Sequence, residues 1–534
     1  MLKKFLSVII CAAVIFATPA VSFSLDADEK CSCGHSPIVY IIGRTDIYDD
    51  PTSPDRKVIP SISADALMPE IKNILPEWAK AVFLNQWEPF NKKALNMLLK
   101  YFEGYAVNAD GTVTNGTGIT YRWDEKSLSK NHTSDNPYTY RFEYDARISP
   151  MIIAEDLHDY IEAVKRVTGH DKVSIICRCV GANYAFAYLY KYQEPTDYSG
   201  LDRLVIYDTS LNGIELLEDA FSGKIDYNNY ASKLFLKNLS LATGNELIDK
   251  LIAPTLEMIR NTYGMDITTW AVQNFYNHIK DTLIIDFLRQ TFGTSPGWFS
   301  MVNDNYEEAK DYIFCKEGDE ETYSAIIEQI DDFHYNVQAR SVEMIEDMQS
   351  CGVDVFNICK YGFTTYPFNE SNAYLNDDLI GLEKQSFGAT CSMVDSTLGR
   401  SYIAERTADG FGRYIAPDGQ LDASTALLRD RTWYIKFYPH NSFYDTMNPL
   451  LNKLCRGDID SVDSDENWGQ FLVLQNKYYP TAMTAENCDP NGAITHDGDD
   501  EIKSNIFTRL SAFFKWSATV TKILINYLTA ANQK

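Results

Sequence analysis

The stretch Lys172 to Leu189, KVSIICRCVGANYAFAYL, leaves this chain few folds to choose from. Its first half, Lys172-Val-Ser-Ile-Ile-Cys177, is a short β-branched, mostly apolar run of the kind that forms a strand in a parallel sheet. Its second half carries Ala182, Phe186 and Leu189 at helical spacing, so a helix begins just past Val180. Between them the backbone must turn sharply at Cys179. The flanking sequence repeats the theme. Pro37-Ile-Val-Tyr-Ile-Ile42 is a second buried-strand run, ended by Gly43. Residues 117 to 124, after a turn at Asn115-Gly116, and 138 to 145 also read as strands. Met151 to Thr168 reads as a helix with Leu157, Ile161 and Val164 on one face and Gly169 as its stop. Leu204 to Tyr207 is a further strand. Strand and helix in alternation predict an α/β architecture, a mostly parallel sheet with helices on both faces.

That alternation stops near Ile214. From there to Met348 the chain reads as almost wholly helical, and it is expected to lie over the sheet as a cap or lid. Strands resume at Val353 to Cys359 and at Thr432 to Phe437. At the start, Met1-Leu-Lys-Lys4, an apolar Phe5 to Ala17 and the small residues Thr18, Ala20, Ser22 and Ser24 have the form of an export signal. The expected organisation is a signal peptide at 1–24, core at 25–213, helical insertion at 214–348, core again at 349–450, and a C-terminal extension at 451–534. A secreted, surface-associated or extracellular protein follows from that reading.

A formal charge of −26 repels polyphosphates, so nucleic acid is a poor candidate partner. Eleven cysteines, one of them (Cys11) in the leader, are too few for a disulfide scaffold in so long a chain. No pair has Cys-x-x-Cys zinc spacing. The acidic loop Asp489 to Glu501 lacks EF-hand spacing, so no metal and no cofactor is expected. Residues 506–528 carry Phe507, Leu510, Phe513, Phe514, Val520, Leu524 and Leu528 at helical spacing with Arg509, Lys515 and Lys522 among them. Such a segment either docks on the body of the protein or lies peripherally in a membrane interface.

The chemistry sits at 177–181: Cys177, Arg178, Cys179, Val180, Gly181. A strand, a tight turn and a helix with a nucleophile at the apex is the arrangement of the G-x-S-x-G nucleophile elbow, in which small flanking residues let strand and helix approach closely. Here the apex is a thiol. Upstream stands Tyr144-Asp145-Ala146-Arg147, then a helix, then Thr168-Gly-His-Asp-Lys172; downstream stands Asp208-Thr-Ser-Leu-Asn-Gly213, and later Gly297-Trp298-Phe299. Together these tracts resemble the lipase and lecithin:cholesterol acyltransferase branch of the α/β-hydrolase superfamily. The resemblance covers residues 36 to 445 and is strongest at 138–215 and 370–445. It departs from the family pattern at the cysteine apex, at Cys177 for glycine, Ala146 for tryptophan and Ser210 for proline.

The resemblance implies an α/β-hydrolase fold with a large helical cap insertion and the chain order nucleophile, acid, histidine. Asn376-Asp377-Asp378-Leu379-Ile380 resembles the family's acid loop and picks Asp377, with Asp378 one residue away and Asp208 as the outside alternative. Of eight histidines only His440 and His496 follow that loop, and only His440 comes directly after a strand. Acyl transfer through an acyl-cysteine would then use Cys179 as nucleophile, His440 as base and Asp377 as its orienting acid. The oxyanion would be held by backbone N–H groups of Val180 and of Arg44 or Thr45. The expected activity is lipase- or esterase-like hydrolysis of a small-molecule or lipid ester or thioester with an apolar acyl part. A secreted acyltransferase of the same fold, or a catalytically silent binding protein on that scaffold, are the alternatives.

Overall fold

The computed structural model describes residues 31–488 except 32, 44, 61–63, 114–115, 131–138, 194–196, 228–272, 316–319, 364–367, 395, 441–444 and 476–478. The expected signal peptide, the acidic loop at 489–501 and the amphipathic segment at 506–528 therefore lie outside the described residues, as do Arg44 and His496.

Eight strands form one mixed sheet: β1 (Ile38–Ile41), β2 (Thr139–Phe142), β3 (Val173–Arg178), β4 (Leu201–Tyr207), β5 (Asp354–Tyr361), β6 (Thr432–Lys436), β7 (Phe471–Gln475) and β8 (Tyr479–Ala482). Their order across the sheet is β2-β1-β3-β4-β5-β6-β7-β8, all parallel except the last pair. Among the helices, α1 (Ala64–Leu84) and α2 (Trp87–Phe102) precede β2, α3 (Pro150–Thr168) precedes β3 and α4 (Gly181–Tyr192) follows it. Helices α5 (Ser324–Phe333) and α6 (Ser341–Ser350) lead into β5, and α7 (Asn448–Arg456) follows β6.

Every residue of β3 except Arg178 is buried, and successive residues face opposite layers. Ile175 and Cys177, with Leu204 and Ile206 of β4, pack against α3, α4 and the end of the α5–α6 segment (Phe333, Val337, Ile345, Met348). Ile176, Val205 and Tyr207 face the other way, against Leu450, Leu451 and Leu454 of α7. This period-2 division is why a strand buried on both faces is stable only when helices cover both sides. Each fully buried Ile or Leu adds about 1.5–3 kcal/mol over an exposed one. Helix α3 is bounded as its sequence predicts: the Ser149 side chain accepts from the Met151 N–H, Pro150 opens the helix, and Gly169 ends it at φ 68°.

Two features differ from expectation. Residues 117–124 are not a strand; Gly118 makes an isolated bridge to Tyr48 and nothing regular follows. Their alternating polar and aromatic side chains are consumed by tertiary contacts. Tyr121 Oη donates to the Arg141 carbonyl at 3.0 Å, Trp123 Nε1 donates to Asp156 at 2.9 Å, and Thr117 Oγ1 accepts from Arg147 at 2.7 Å. The sheet also continues past residue 450, where a separate extension was expected: β7 pairs with β6 in register and β8 follows. These strands are short and their alternation is interrupted, so periodicity alone gave them no signal.

The described residues between β4 and β5 are mostly helical. Phe221, Ile285, Leu288, Phe299, Ile313 and Ile330 make a cluster of their own there, apart from the sheet cores. Helices α1 and α2, which sequence periodicity did not single out, pack on this region. Trp87 stacks on His278 at 4.5 Å between ring centroids, and Phe90 meets Phe275 at 5.8 Å.

Candidate active site

The strand order reverses between β1 and β3: the chain moves out from β1 to β2 and then returns to β1's other side. In open parallel sheets such a switch point opens a crevice at the carboxyl ends of the two strands. Cys179 follows β3 at that point, and Gly43 and Thr45 follow β1.

The turn at Cys179 is tight enough to need special residues on both sides. Cys179 has φ 49°, a left-handed conformation that costs a non-glycine residue about 1–3 kcal/mol. Its N–H is fixed by the Tyr207 carbonyl at 2.9 Å and by Asp208 Oδ1 at 3.2 Å. A Cβ on Gly181 would sit 2.6 Å from the Ile41 carbonyl oxygen, and one on Gly43 would sit 2.8 Å from the Cys179 Cβ. Helix α4 and β1 can therefore pass this closely only because both positions are glycine. The position of Cys177, where the motif usually carries glycine, tolerates a thiol because its sulfur points into the α3–α4 core and reaches the Val205 carbonyl at 3.7 Å. Burial raises the Cys177 thiol pKa far above its ordinary value, so it is no nucleophile.

His440 is four residues beyond the end of β6, after a left-handed Phe437 (φ 61°) whose N–H bonds the Tyr361 carbonyl. Its Nε2 is 3.2 Å from Cys179 Sγ and its Nδ1 is 2.7 Å from Asp377 Oδ2. Its backbone N–H also donates to the Asp377 carbonyl at 2.6 Å. Asp377 is fully buried, and its second oxygen accepts from the N–H groups of Leu379 at 3.1 Å and Ile380 at 2.8 Å. The two backbone N–H groups fix one carboxylate oxygen and so aim the other at the imidazole. Burial works against a charged His440, but Asp377 and then Cys179 and Asp208 outweigh it, so its pKa stands well above the usual histidine value.

Sequence reasoning left three carboxylates open for the acid, and the structure separates them. Asp377 meets the ring of His440. Asp378 has φ 96°, is half-buried, and burial with the neighbouring Asp377 charge raises its pKa to about 6. Asp208 is buried without remainder and faces cations. Lys360 Nζ is 2.6 Å and Arg178 Nε 3.2 Å from its Oδ2, and both cations also donate to the His440 carbonyl. Burial opposes the charge on Asp208, but Lys360 and Arg178 overcome it and depress its pKa.

Lys360 was not anticipated. It is fully buried in β5, flanked by the rings of Tyr438 (4.3 Å) and Tyr207 (4.9 Å). The signal for it was a lysine inside an otherwise apolar strand, which in a buried position demands a carboxylate partner. Polar atoms of Asp208, Asp377 and His440 lie within 4.8 Å of one another, a spacing an ion could bridge. The two cations already spanning Asp208 make that set unsuited to a metal.

Of the oxyanion candidates, Val180 begins α4, and among the described residues its N–H has no acceptor, leaving it available above the turn. Thr45 is buried in the segment after β1, where its Oγ1 accepts from the Tyr144 N–H at 3.3 Å. Arg44 lies outside the described residues. No known family model matches the chain, and no curated protein matches its sequence.

The 144–147 and 297–299 tracts support the site from behind. Arg147 is fully buried, paired with Asp145 at 2.6 Å, and donates to the Gly104 carbonyl at 2.7 Å. Its own carbonyl accepts from Ser295 Oγ at 2.7 Å and from the Gly297 N–H at 3.1 Å. A Cβ at Gly297 would lie 2.1 Å from the Ala146 carbonyl oxygen, so this backbone contact is what requires glycine there. Tyr184 of α4 packs at a tilt on Tyr144, 3.9 Å between ring centroids, carrying the same support to the helix that follows Cys179.

Proposed function

We propose that the protein is an exported lipase- or esterase-like acyl hydrolase on an α/β-hydrolase scaffold, with the helical segment 214–348 as its cap. It acts through an acyl-cysteine intermediate on an ester or thioester with an apolar acyl group. The observation that carries this reading is the relay Asp377 Oδ2–His440 Nδ1 at 2.7 Å and His440 Nε2–Cys179 Sγ at 3.2 Å.

In that reading His440 takes the thiol proton as Cys179 Sγ attacks the acyl carbonyl carbon. The Val180 N–H, with a donor from the loop after β1 at Arg44 or Thr45, receives the oxyanion. Collapse breaks the bond to the alcohol or thiol, which leaves with the proton from His440. Water, deprotonated by His440, then attacks the thioester and releases the acid and the Cys179 thiol. Asp377 orients the ring with Nε2 toward sulfur and stabilises its protonated form. Transfer to an amine or thiol acceptor is the second reading, favoured by the thiol apex, because a thioester is more reactive toward such nucleophiles than an oxygen ester. A lipid substrate would be consistent with peripheral membrane contact through 506–528.

The test is mass spectrometry of the mature protein after brief exposure to short- and medium-chain p-nitrophenyl esters, beside Cys179→Ala. An acyl adduct on Cys179 that is absent from the variant, with release of free acid, is the expected result. An adduct that persists until an amine or thiol is added would move the reading to a transferase. No adduct and no p-nitrophenol at any chain length would refute the hydrolase reading and leave a narrow acyltransferase or a binding protein.

A further inference from the structure

At the far end of β3 from Cys179, about 20 Å away along the extended strand, three more chemically active side chains converge. Cys31 and Cys33 lie near the start of the described chain, and His170 lies in the short link between α3 and β3. Cys33 Sγ is 3.3 Å from His170 Nε2, and each of the three residues offers a donor atom within 4.8 Å of the other two. Backbone bonds hold both sides of this meeting. The Cys31 N–H donates to the carbonyl of Gly169, the left-handed helix stop, at 2.8 Å, and the His170 N–H donates to the Lys165 carbonyl at 3.1 Å. Cys33 Sγ also lies 3.3 Å from the His35 carbonyl oxygen. Both cysteines are thiols, and the set sits at the surface, half open to solvent.

We propose that Cys31, Cys33 and His170 bind a thiophilic metal ion, zinc(II) or copper(I). Two thiolates and one imidazole form a soft donor set that favours these ions over magnesium or calcium. In a tetrahedral site, metal–sulfur bonds of about 2.3 Å and metal–nitrogen bonds of about 2.0–2.1 Å place sulfur and nitrogen about 3.5 Å apart. The observed 3.3 Å is close to that separation. Cys31 completes the donor set, held beside His170 by the bond from its N–H to the Gly169 carbonyl. Binding releases the two thiol protons, so affinity falls in acid. The ion ties the segment leading into β1 to a residue 137 positions from Cys33 and raises stability by mass action. Cys-x-Cys spacing gave no warning of this, because the third ligand is supplied by the fold. Nothing in this site depends on the reading of Cys179.

The experiment uses the full mature chain, reduced and stripped of metal with a chelator, then titrated with cobalt(II), zinc(II) and, under a copper(I)-specific competitor, copper(I). Expected are one equivalent bound, a thiolate-to-cobalt charge-transfer band, and a thermal midpoint that rises with zinc. Cys31→Ser/Cys33→Ser should abolish the band and the midpoint rise while leaving alkylation of Cys179 unchanged, and His170→Ala should weaken binding by about tenfold or more. Whichever of zinc and copper(I) displaces the other in competition names the resident ion. A wild-type spectrum without the charge-transfer band, equal binding by the double variant, or a Cys31–Cys33 disulfide in the freshly secreted protein would overturn the proposal.

Discussion

Asp208→Asn is the perturbation that best separates a structural from an incidental role for the buried charges beneath Cys179. Asp208 has no exposed surface, and its carboxylate receives Lys360, Arg178 and the Cys179 N–H. Removing one member of a buried pair costs about 3–5 kcal/mol, because the remaining charge is left without compensation. The lower part of that range applies here. Burial already lowers the pKa of Lys360, so without Asp208 it sheds its proton in the fold instead of remaining a stranded cation. The unfolded variant keeps that proton at neutral pH, so its folded state binds fewer protons and its deficit shrinks as pH rises. The expected outcome is a loss of about 3 kcal/mol near neutrality, read as a lower urea midpoint by tryptophan fluorescence at unchanged slope. Adding Lys360→Met should restore at least about 1 kcal/mol, since residues in one network couple by about 0.5–3 kcal/mol. A deficit under about 1 kcal/mol, or a double variant whose losses simply add, would refute the argument that the three groups act as one buried ionic unit.

Two further outcomes follow from the same geometry. The raised pKa of His440 means that its charged form stabilises the fold fully below the unfolded value of 6.5, and that this contribution is lost as pH rises through the folded value. The stability gap between the native chain and His440→Gln should therefore be widest in mild acid and narrow on going alkaline; a gap that widens instead would place the proton elsewhere. Gly181→Ala forces a methyl to within 2.6 Å of the Ile41 carbonyl, so it should cost about 1–3 kcal/mol in thermal unfolding and slow alkylation of Cys179 by shifting the turn. Unchanged stability would mean that α4 and β1 can separate freely.

The sequence by itself determined the local elements around Cys179. The run at 173–178, the helix at 181–192 and the capped helix at 150–168 were legible because periodicity and caps are written in neighbouring residues. Chain order left His440 as the histidine directly after a strand, the resemblance of 376–380 to an acid loop picked Asp377, and the two meet at 2.7 Å. Only the tertiary structure decided which acidic group faces the histidine ring and which faces Lys360, because Asp208, Asp377 and Asp378 differ in what packs over them, which no local pattern records. The same holds for the strands at 471–482, which are stable only as additions to an existing sheet edge, and for Cys31, Cys33 and His170, brought together from opposite sides of β1 and β2. A side chain's partner more than a turn or two away along the chain is set by packing, and packing has no periodicity to read.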